Sequence, residues 1–304
     1  MNKIVKAITK PSYALQLILH LLSPLIKDDE KYVKIKYRLA MGKKLDLNNP
    51  QTYNEKLQWL KLHDHHLEYS RMVDKYEAKQ YVADIIGEEY IIPTLGIYDS
   101  FDEIDFNQLP DQFVLKCTHN SGGIVICKNK KSFNKESARR FLTKYLHKNP
   151  FWSNREYPYK NVAPRIIAEK FMVDESGTEL KDYKFFCFDG KCKMLFVATD
   201  RPHDTKFDFY DLDFNHLPFT NGHPCSTKEI KKPSHFEDMI KIAERLSMGM
   251  AHVRVDLYNI NGHIYFGELT FFHWSGTMPF DPEEWDYKIG EWLRLPIEKD
   301  SNSH

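Results

Sequence analysis

The chain of 304 residues carries 43 lysines and arginines against 43 aspartates and glutamates, and 42% of its residues are hydrophobic. That length admits one large domain or two ordinary ones, and that apolar share excludes a chain too polar to pack a core. A formal net charge of zero excludes the broad basic footprint of a nucleic-acid binder.

The chain up to about Gly87 reads as mainly helical. Lys3, Lys6 and Lys10 precede an apolar stretch at residues 13–22, a layout like the front of a signal peptide. Pro24 and the charged residues 27–30 follow with no small-residue cleavage site, so the segment reads as a docking helix. Residues 13–26 are too short to span a bilayer, and shallow membrane contact is the second reading. Residues 54–62 place apolar groups at helical spacing, and residues 76–86 read as a helix closed by Gly87. Residues 91–98 look extended. Phe113–Cys117 and residues 123–127 are short strands around a polar turn, residues 135–147 a helix, and residues 165–173 a strand. Residues 182–188 and 193–199 form a hairpin, residues 236–250 a helix, and a last helix includes residues 285–293. The fold class is α+β with largely antiparallel sheets. Cys117, Cys127, Cys187, Cys192 and Cys225 are odd in number, scattered and without CxxC spacing. They read as reduced thiols, not a zinc ribbon or redox pair.

Three segments carry chemistry. Lys116 precedes the turn Thr118-His119-Asn120-Ser121-Gly122-Gly123, where paired glycines let a backbone approach an anion and present N–H groups to it. Such a loop suits a polyphosphate. It is not a Walker A loop, because Gly-Lys-Ser/Thr is missing and a strand follows; a plain hairpin turn is the alternative. Glu169, Lys170 and Phe171 interrupt an apolar strand end that can pair with an adenine edge, and Asp182 stands where a carboxylate can accept from ribose hydroxyls. An ordinary exposed edge is the alternative there. Finally, Arg254-Val-Asp256 and Phe266-Gly-Glu268-Leu-Thr270 read as strands joined through Asn261-Gly262, a tight-turn signal. Alternation puts Arg254 with Asp256 on one face, and Glu268 with Thr270 on one face. Folded together, the carboxylates oppose each other and repel unless a cation lies between them; Mg²⁺ suits such hard oxygen ligands. A surface hairpin of solvated charges is the alternative. His273 and Trp274 follow at the substrate end, His273 as base, donor or structural residue. Asp211-Leu-Asp213 is a DxD-type triplet that would bind the metal diphosphate of a nucleotide sugar in a glycosyltransferase.

Taken in order, these parts resemble the ATP-grasp superfamily, and more closely the TupA-like ATP-grasp family of bacterial surface-polysaccharide gene clusters. The resemblance rests on Asn54-Glu-Lys-Leu-Gln-Trp-Leu-Lys61, Asp74-Lys75-Tyr76, Phe113-Val-Leu-Lys-Cys117, the run from Asp182 to Gly190, Arg254-Val-Asp-Leu-Tyr258 and Phe266-Gly-Glu-Leu-Thr-Phe271. It implies an ATP-grasp fold in which two α+β subdomains clasp ATP. A helical N-terminal region over 1–72 would precede an ATP-grasp domain over 73–296, with a flap lobe at about 113–175, a metal-binding lobe at about 180–296 and a tail at 297–304. By resemblance, Lys75 and Lys116 contact phosphates, with Ser121, Gly122 and Gly123 in the flap. Glu169, Lys170 and Phe171 form the adenine hinge and Asp182 binds ribose. Asp256 and Glu268 hold Mg²⁺, and Lys184, Arg201 and Arg254 face the γ-phosphate or an acyl phosphate. Thr270 stands where many relatives carry asparagine as third metal ligand, and the usual N-terminal Rossmann-like domain is not evident. The implied activity is a carboxylate–amine ligase using ATP and Mg²⁺, joining a uronic acid or similar glycan precursor to an amine. It would work in the cytoplasm, with peripheral contact at the inner face of the plasma membrane as an option. A phosphotransferase on the same site and a non-catalytic nucleotide scaffold are the further alternatives.

Overall fold

Two antiparallel sheets organise the protein, whose structure, a computed structural model, describes residues 11–177, 180–201 and 204–296. Lys3, Lys6 and Lys10 and the tail at 297–304 lie outside the described residues. The helical start comprises α1 (Pro11–Leu22), α2 (Asp29–Met41), α3 (Tyr53–His63), α4 (Glu68–Val73) and α5 (Glu77–Ile86). Local chemistry sets their ends. Asp28 accepts the Lys31 N–H at 2.9 Å to cap α2. Thr52 and Glu55 form a reciprocal capping box on α3.

The smaller sheet has the order β1-β4-β2-β3, from β1 (Thr94–Tyr98), β2 (Phe113–Cys117), β3 (Ile124–Cys127) and β4 (Ile166–Lys170). It therefore takes in a strand that precedes residue 113. The helix α6 (Lys135–Leu146) packs Ala138 and Leu142 against Phe113, Leu115 and Cys117 of β2. A short helix, α7 (Pro150–Asn154), leads back toward β4.

The larger sheet has the order β10-β9-β5-β6-β7. Its strands are β5 (Asp182–Phe188), β6 (Lys191–Thr199), β7 (Lys206–Tyr210), β9 (His252–Ile260) and β10 (His263–Thr270). Alternation gives it two faces of different character. Phe185, Val253, Val255 and Leu257 are buried on one face, with Phe236, Met239 and Ala243 of α8 (Phe236–Leu246) in the same core. The other face carries the charged residues discussed below. A small third sheet pairs β8 (Thr220–Asn221) with β11 (Phe280–Asp281), and α9 (Glu284–Trp292) closes the described chain.

The N-terminal helices divide between two environments. Leu19 of α1 packs with Tyr32, Val33 and Tyr37 of α2 and with Leu45, a cluster of its own. In contrast, Tyr53, Leu57 and Leu60 of α3 are fully part of the large-sheet core. The outward face of α1 leaves Leu15, Ile18, Leu21 and Leu22 exposed, with Leu25 beyond it. Among the described residues, no helix is long and apolar enough to cross a membrane.

Candidate active site

The hairpin of β9 and β10 turns through Asn261 and Gly262, both at positive φ (53° and 87°), as a two-residue turn of the primed type requires. This turn pairs Ile260 with His263 and Leu257 with Phe266; past the next residue, Asp256 lies opposite Glu268 and Arg254 opposite Thr270. A bulge at Gly267 adjusts the register just before Glu268. A Cβ at Gly267 would stand 3.0 Å from the Asp256 carbonyl oxygen and 3.1 Å from the Tyr258 ring, so glycine suits this close approach. On the other side, β5 lays Lys184 opposite Asp256 and Asp182 opposite Tyr258.

These side chains form one network. Arg254 donates to both Asp256 oxygens (2.7 and 2.8 Å), to Thr270 Oγ1 (3.0 Å) and to Glu268 (3.4 Å). Lys184 pairs with Asp256 and, at 2.7 Å, with Asp182. Repulsion between the opposed carboxylates is thus relieved here by a guanidinium and an ammonium of the protein itself. Burial pushes Asp256 up to about 6 although Arg254 and Lys184 pull it down. For Glu268, burial is more than offset by Lys184, Lys75 and Arg254, which hold it at about 2. The donor set of Asp256, Glu268 and Thr270 is all hard oxygen, and Glu268 is 38% exposed at the cleft. That chemistry fits Mg²⁺ and does not fit a soft metal.

His273 is fully engaged. Arg254 can only donate, so His273 Nδ1 accepts from it (2.8 Å) and Nε2–H donates to Asn221 Oδ1 (2.9 Å). Burial and the neighbouring Arg254 drive its pKa well below the ordinary value. It orients the arginine and has no nitrogen left for a substrate proton.

Across the cleft stands Lys75, whose Nζ donates to the Asn120 carbonyl at 2.7 Å. Burial lowers its pKa, while Glu268 raises it. The flap glycines act otherwise than the sequence implies. Gly122 and Gly123 donate their N–H groups to Asn120 Oδ1 (3.2 and 2.9 Å), not outward to an anion. Their small size serves packing: a Cβ would meet the Tyr145 ring or Cys117 Sγ at 2.6 Å. Ser121, exposed at the turn, lines the cleft together with Asn120.

Lys116 is held by the hinge. Its Nζ and that of Lys79 each lie 2.5 Å from a different oxygen of Glu169, which is 4% exposed. Burial raises the Glu169 pKa, but Lys116 and Lys79 more than reverse this and hold it at about 2. Lys79 is itself kept below its ordinary value by burial despite the pairing, so the pair stabilises less than the carboxylate alone implies. A depressed folded-state pKa contributes stability that is complete above about 4.5 and lost as pH falls through about 2. Glu169→Gln is therefore expected to cost about 2 kcal/mol at neutral pH, a penalty that shrinks toward zero near pH 2. Urea denaturation of both proteins across that range measures it, and a penalty independent of pH would refute the assignment.

Lys170 is exposed, and its N–H donates to the Pro93 carbonyl at 3.0 Å. Phe171, just beyond β4, is half-buried. Asp182 gives Oδ2 to Lys184 and to Arg201 (3.1 Å), while Oδ1 is buried without a partner. An acceptor left bare in this way fits a hydroxyl donor such as a ribose. Asp182 and Arg254 are four residues apart along paired strands, roughly 13 Å. Arg201 thus stands with Asp182 and is linked to the Arg254 cluster through Asp182 and Lys184.

A cavity of about 430 Å³ brings together Lys75, Ser121, Lys184, Arg254, Glu268 and Thr270, while Lys116, the residues 169–171, Asp182, Arg201 and Asp256 do not line it. A second cavity, of about 520 Å³, opens among Lys181, Tyr183, Asn259 and the loop at 226–234 and contains none of the predicted residues. The Asp211-Leu-Asp213 triplet is a turn device: Asp211 accepts from the N–H groups of Asp213 and Asn215 and from the Asn215 amide.

Sequence reasoning missed the support of the substrate end. Trp274, Ser275 and Gly276 are consecutive left-handed residues (φ 47°, 57° and 57°), a costly conformation for the first two. A buried polar stripe on α3 holds them. Gln58 donates to the carbonyls of Ser275 (3.0 Å) and Gly276 (2.6 Å), and Lys61 to Ser275 O (2.7 Å) and Oγ (2.8 Å). One turn earlier, Asn54 donates to Met278 O and to Asp286. Burial pushes Lys61 down to about 7. The available signal was polar groups at i, i+4 and i+7 beside the apolar stripe of the same helix.

A family model described as TupA-like ATPgrasp matches residues 55–294. No curated protein matches the chain. Among solved structures it is similar to the D-alanine–D-alanine ligase from Bacillus anthracis complexed with ATP, at 14% identity over 67% of this chain and 55% of that one (TM-score 0.40). It is also similar to D-cycloserine synthetase DcsG, at 16% identity over 74% and 71% of the two chains (TM-score 0.40). With ATP-grasp ligase PsnB complexed with minimal precursor, Mg and ADP, the identity is 11% over 71% and 57% (TM-score 0.39). The chain spans a little over half the length of the first of these, 55%.

Proposed function

Because the chain belongs to the TupA-like ATP-grasp family, whose model covers residues 55–294, we propose that it is an ATP- and Mg²⁺-dependent carboxylate–amine ligase. The observation that carries this reading is the register-opposed pair Asp256 and Glu268, bridged by Arg254 and faced across the cleft by Lys75. Lys75, Lys116 and Ser121 would receive the phosphates beneath the flap at Gly122 and Gly123. The main chain at Glu169, Lys170 and Phe171 would receive adenine, and the bare Asp182 oxygen a ribose hydroxyl. Arg201 would act at this ribose end, beside Asp182.

Asp256 and Glu268, with Thr270, would hold Mg²⁺, which when bound supplies charge neutralisation on the phosphate oxygens. Arg254 and Lys184 would then turn from their carboxylates to the transferring phosphoryl group. A substrate carboxylate oxygen attacks the γ-phosphorus and ADP leaves, giving an acyl phosphate. An amine attacks the acyl carbon, phosphate leaves, and the amine's surplus proton goes to solvent. The protein's part is positioning and charge balance.

For substrates we propose a uronic acid or similar carboxylate of a bacterial surface-polysaccharide precursor, and a small amine. Incubation with Mg·ATP, pooled uronic-acid compounds and amino acids, read by ADP formation and product mass together, tests this. A condensed amine in the product supports ligation; a phosphate adduct without amine would replace it with the phosphotransferase reading. We also propose that the exposed apolar face of α1 (Leu15, Ile18, Leu21) rests on a membrane surface at the cytoplasmic side. Co-sedimentation with anionic vesicles is expected for the protein and lost in a triple Leu15→Ser, Ile18→Ser, Leu21→Ser variant; equal sedimentation of the two would refute it.

A further inference from the structure

On the large-lobe edge, away from the Asp256 centre, three chemically different donors converge. Asp208 of β7, His216 and Cys225 place one ligand atom each so that all lie within 4.8 Å of one another. Asp208 is 3% exposed, His216 faces solvent and Cys225 is half-buried. His216 Nε2 stands 3.5 Å from Asp208 Oδ1.

The backbone frames this point from both sides. Leu217 N–H donates to Phe209 O at 2.8 Å, and Phe207 N–H donates to Pro224 O at 3.1 Å. The segment carrying His216 and the segment carrying Cys225 are thus each tied to β7 next to Asp208. The Ser226 N–H donates to Asp208 at 3.0 and 3.2 Å and orients the carboxylate.

We propose that Asp208, His216 and Cys225 bind one transition-metal ion of the zinc class. A thiolate, an imidazole and a carboxylate together suit zinc or cobalt, whereas magnesium and calcium need all-oxygen sites. Metal–ligand bonds of ~2.0–2.3 Å at tetrahedral angles put donor atoms roughly 3.3–3.8 Å apart, so a small contraction of the cluster completes it. Three protein ligands leave a fourth position for water, and the exposure of His216 gives the ion a way in. The ion would staple the loop after β7 to that strand. This loop carries Asn221, which holds His273 on Arg254, so the staple would steady the catalytic arginine from behind. The site is independent of the ATP reading, since none of its ligands lines the 430 Å³ cleft.

Cobalt titration of the metal-free full-length protein tests the proposal. Expected is about one cobalt per chain with a thiolate-to-cobalt charge-transfer band, and a rise in Tm on the order of 5 °C with zinc in excess. Cys225→Ser should abolish the band, and His216→Ala, at an exposed position, should weaken cobalt binding at least ~tenfold. His223→Ala is the control: its ring lies against Phe207 and Trp274, and the band should persist. Unchanged binding in both Cys225→Ser and His216→Ala, or no thiolate band in the wild type, would overturn the assignment.

Discussion

Glu268→Gln is expected to reduce ADP formation on the order of a thousandfold while leaving the fold intact. Two structural facts separate these effects. Glu268 is 38% exposed, and its contact with Arg254 is long, 3.4 Å, so its neutral isostere costs under about 1 kcal/mol of stability. Its charge, however, is half of the opposed carboxylate pair that would receive the divalent cation. Asp256 makes a poorer probe: it is 1% exposed between Arg254 and Lys184. Removing it strands two buried cations, at roughly 3–5 kcal/mol, and an inactive variant would then report only unfolding. The measurement is ADP release at saturating Mg·ATP beside a urea transition. Wild-type turnover by a folded Glu268→Gln protein would sink the ligase reading.

Arg254→Lys should lose both activity and stability, although the charge is kept. A guanidinium at this position reaches Asp256 twice, His273, Thr270 and Glu268. An ammonium cannot span these directions, and His273 Nδ1 would be left buried without a donor. The expected loss is about 2–4 kcal/mol of stability from stranded partners and about 100- to 1000-fold in kcat. KM for ATP should change less, because none of the residues proposed for adenine and ribose, at 169–171 and 182, hydrogen-bonds to Arg254. A stability loss with unchanged kcat would make Arg254 a strut of the sheet and not part of the chemistry. Added guanidinium restoring turnover to Arg254→Ala would support the catalytic role directly.

Much of this centre was readable before any coordinates. The Asn261-Gly262 turn and strand alternation give the hairpin and its faces, but alone they pair Asp256 with Gly267; the extra residue at the Gly267 bulge is what brings Glu268 opposite Asp256. The helix at residues 54–62 is legible from its apolar spacing, but the role of its polar stripe is not. Gln58 and Lys61 show their purpose only once the loop at 273–277 lies against them. Spacing among the cysteines carries no sign of the cluster of Cys225 with His216 and Asp208, because its three members come from separate segments.

Local sequence, then, determined the elements, the hairpin turn and the family, because these follow from chain geometry within a few residues and from motifs in order, whereas the bulge at Gly267 completes the register. Sheet order decided the rest. Only the β10-β9-β5 arrangement puts Lys184 beside Asp256, a counter-charge from a distant strand that the hairpin's own sequence does not show. Only the packing of α6 over the flap turns the glycine amides to Asn120. A side chain's charge and reach are written in its own residue, but its partner is whichever distant strand or helix burial brings alongside.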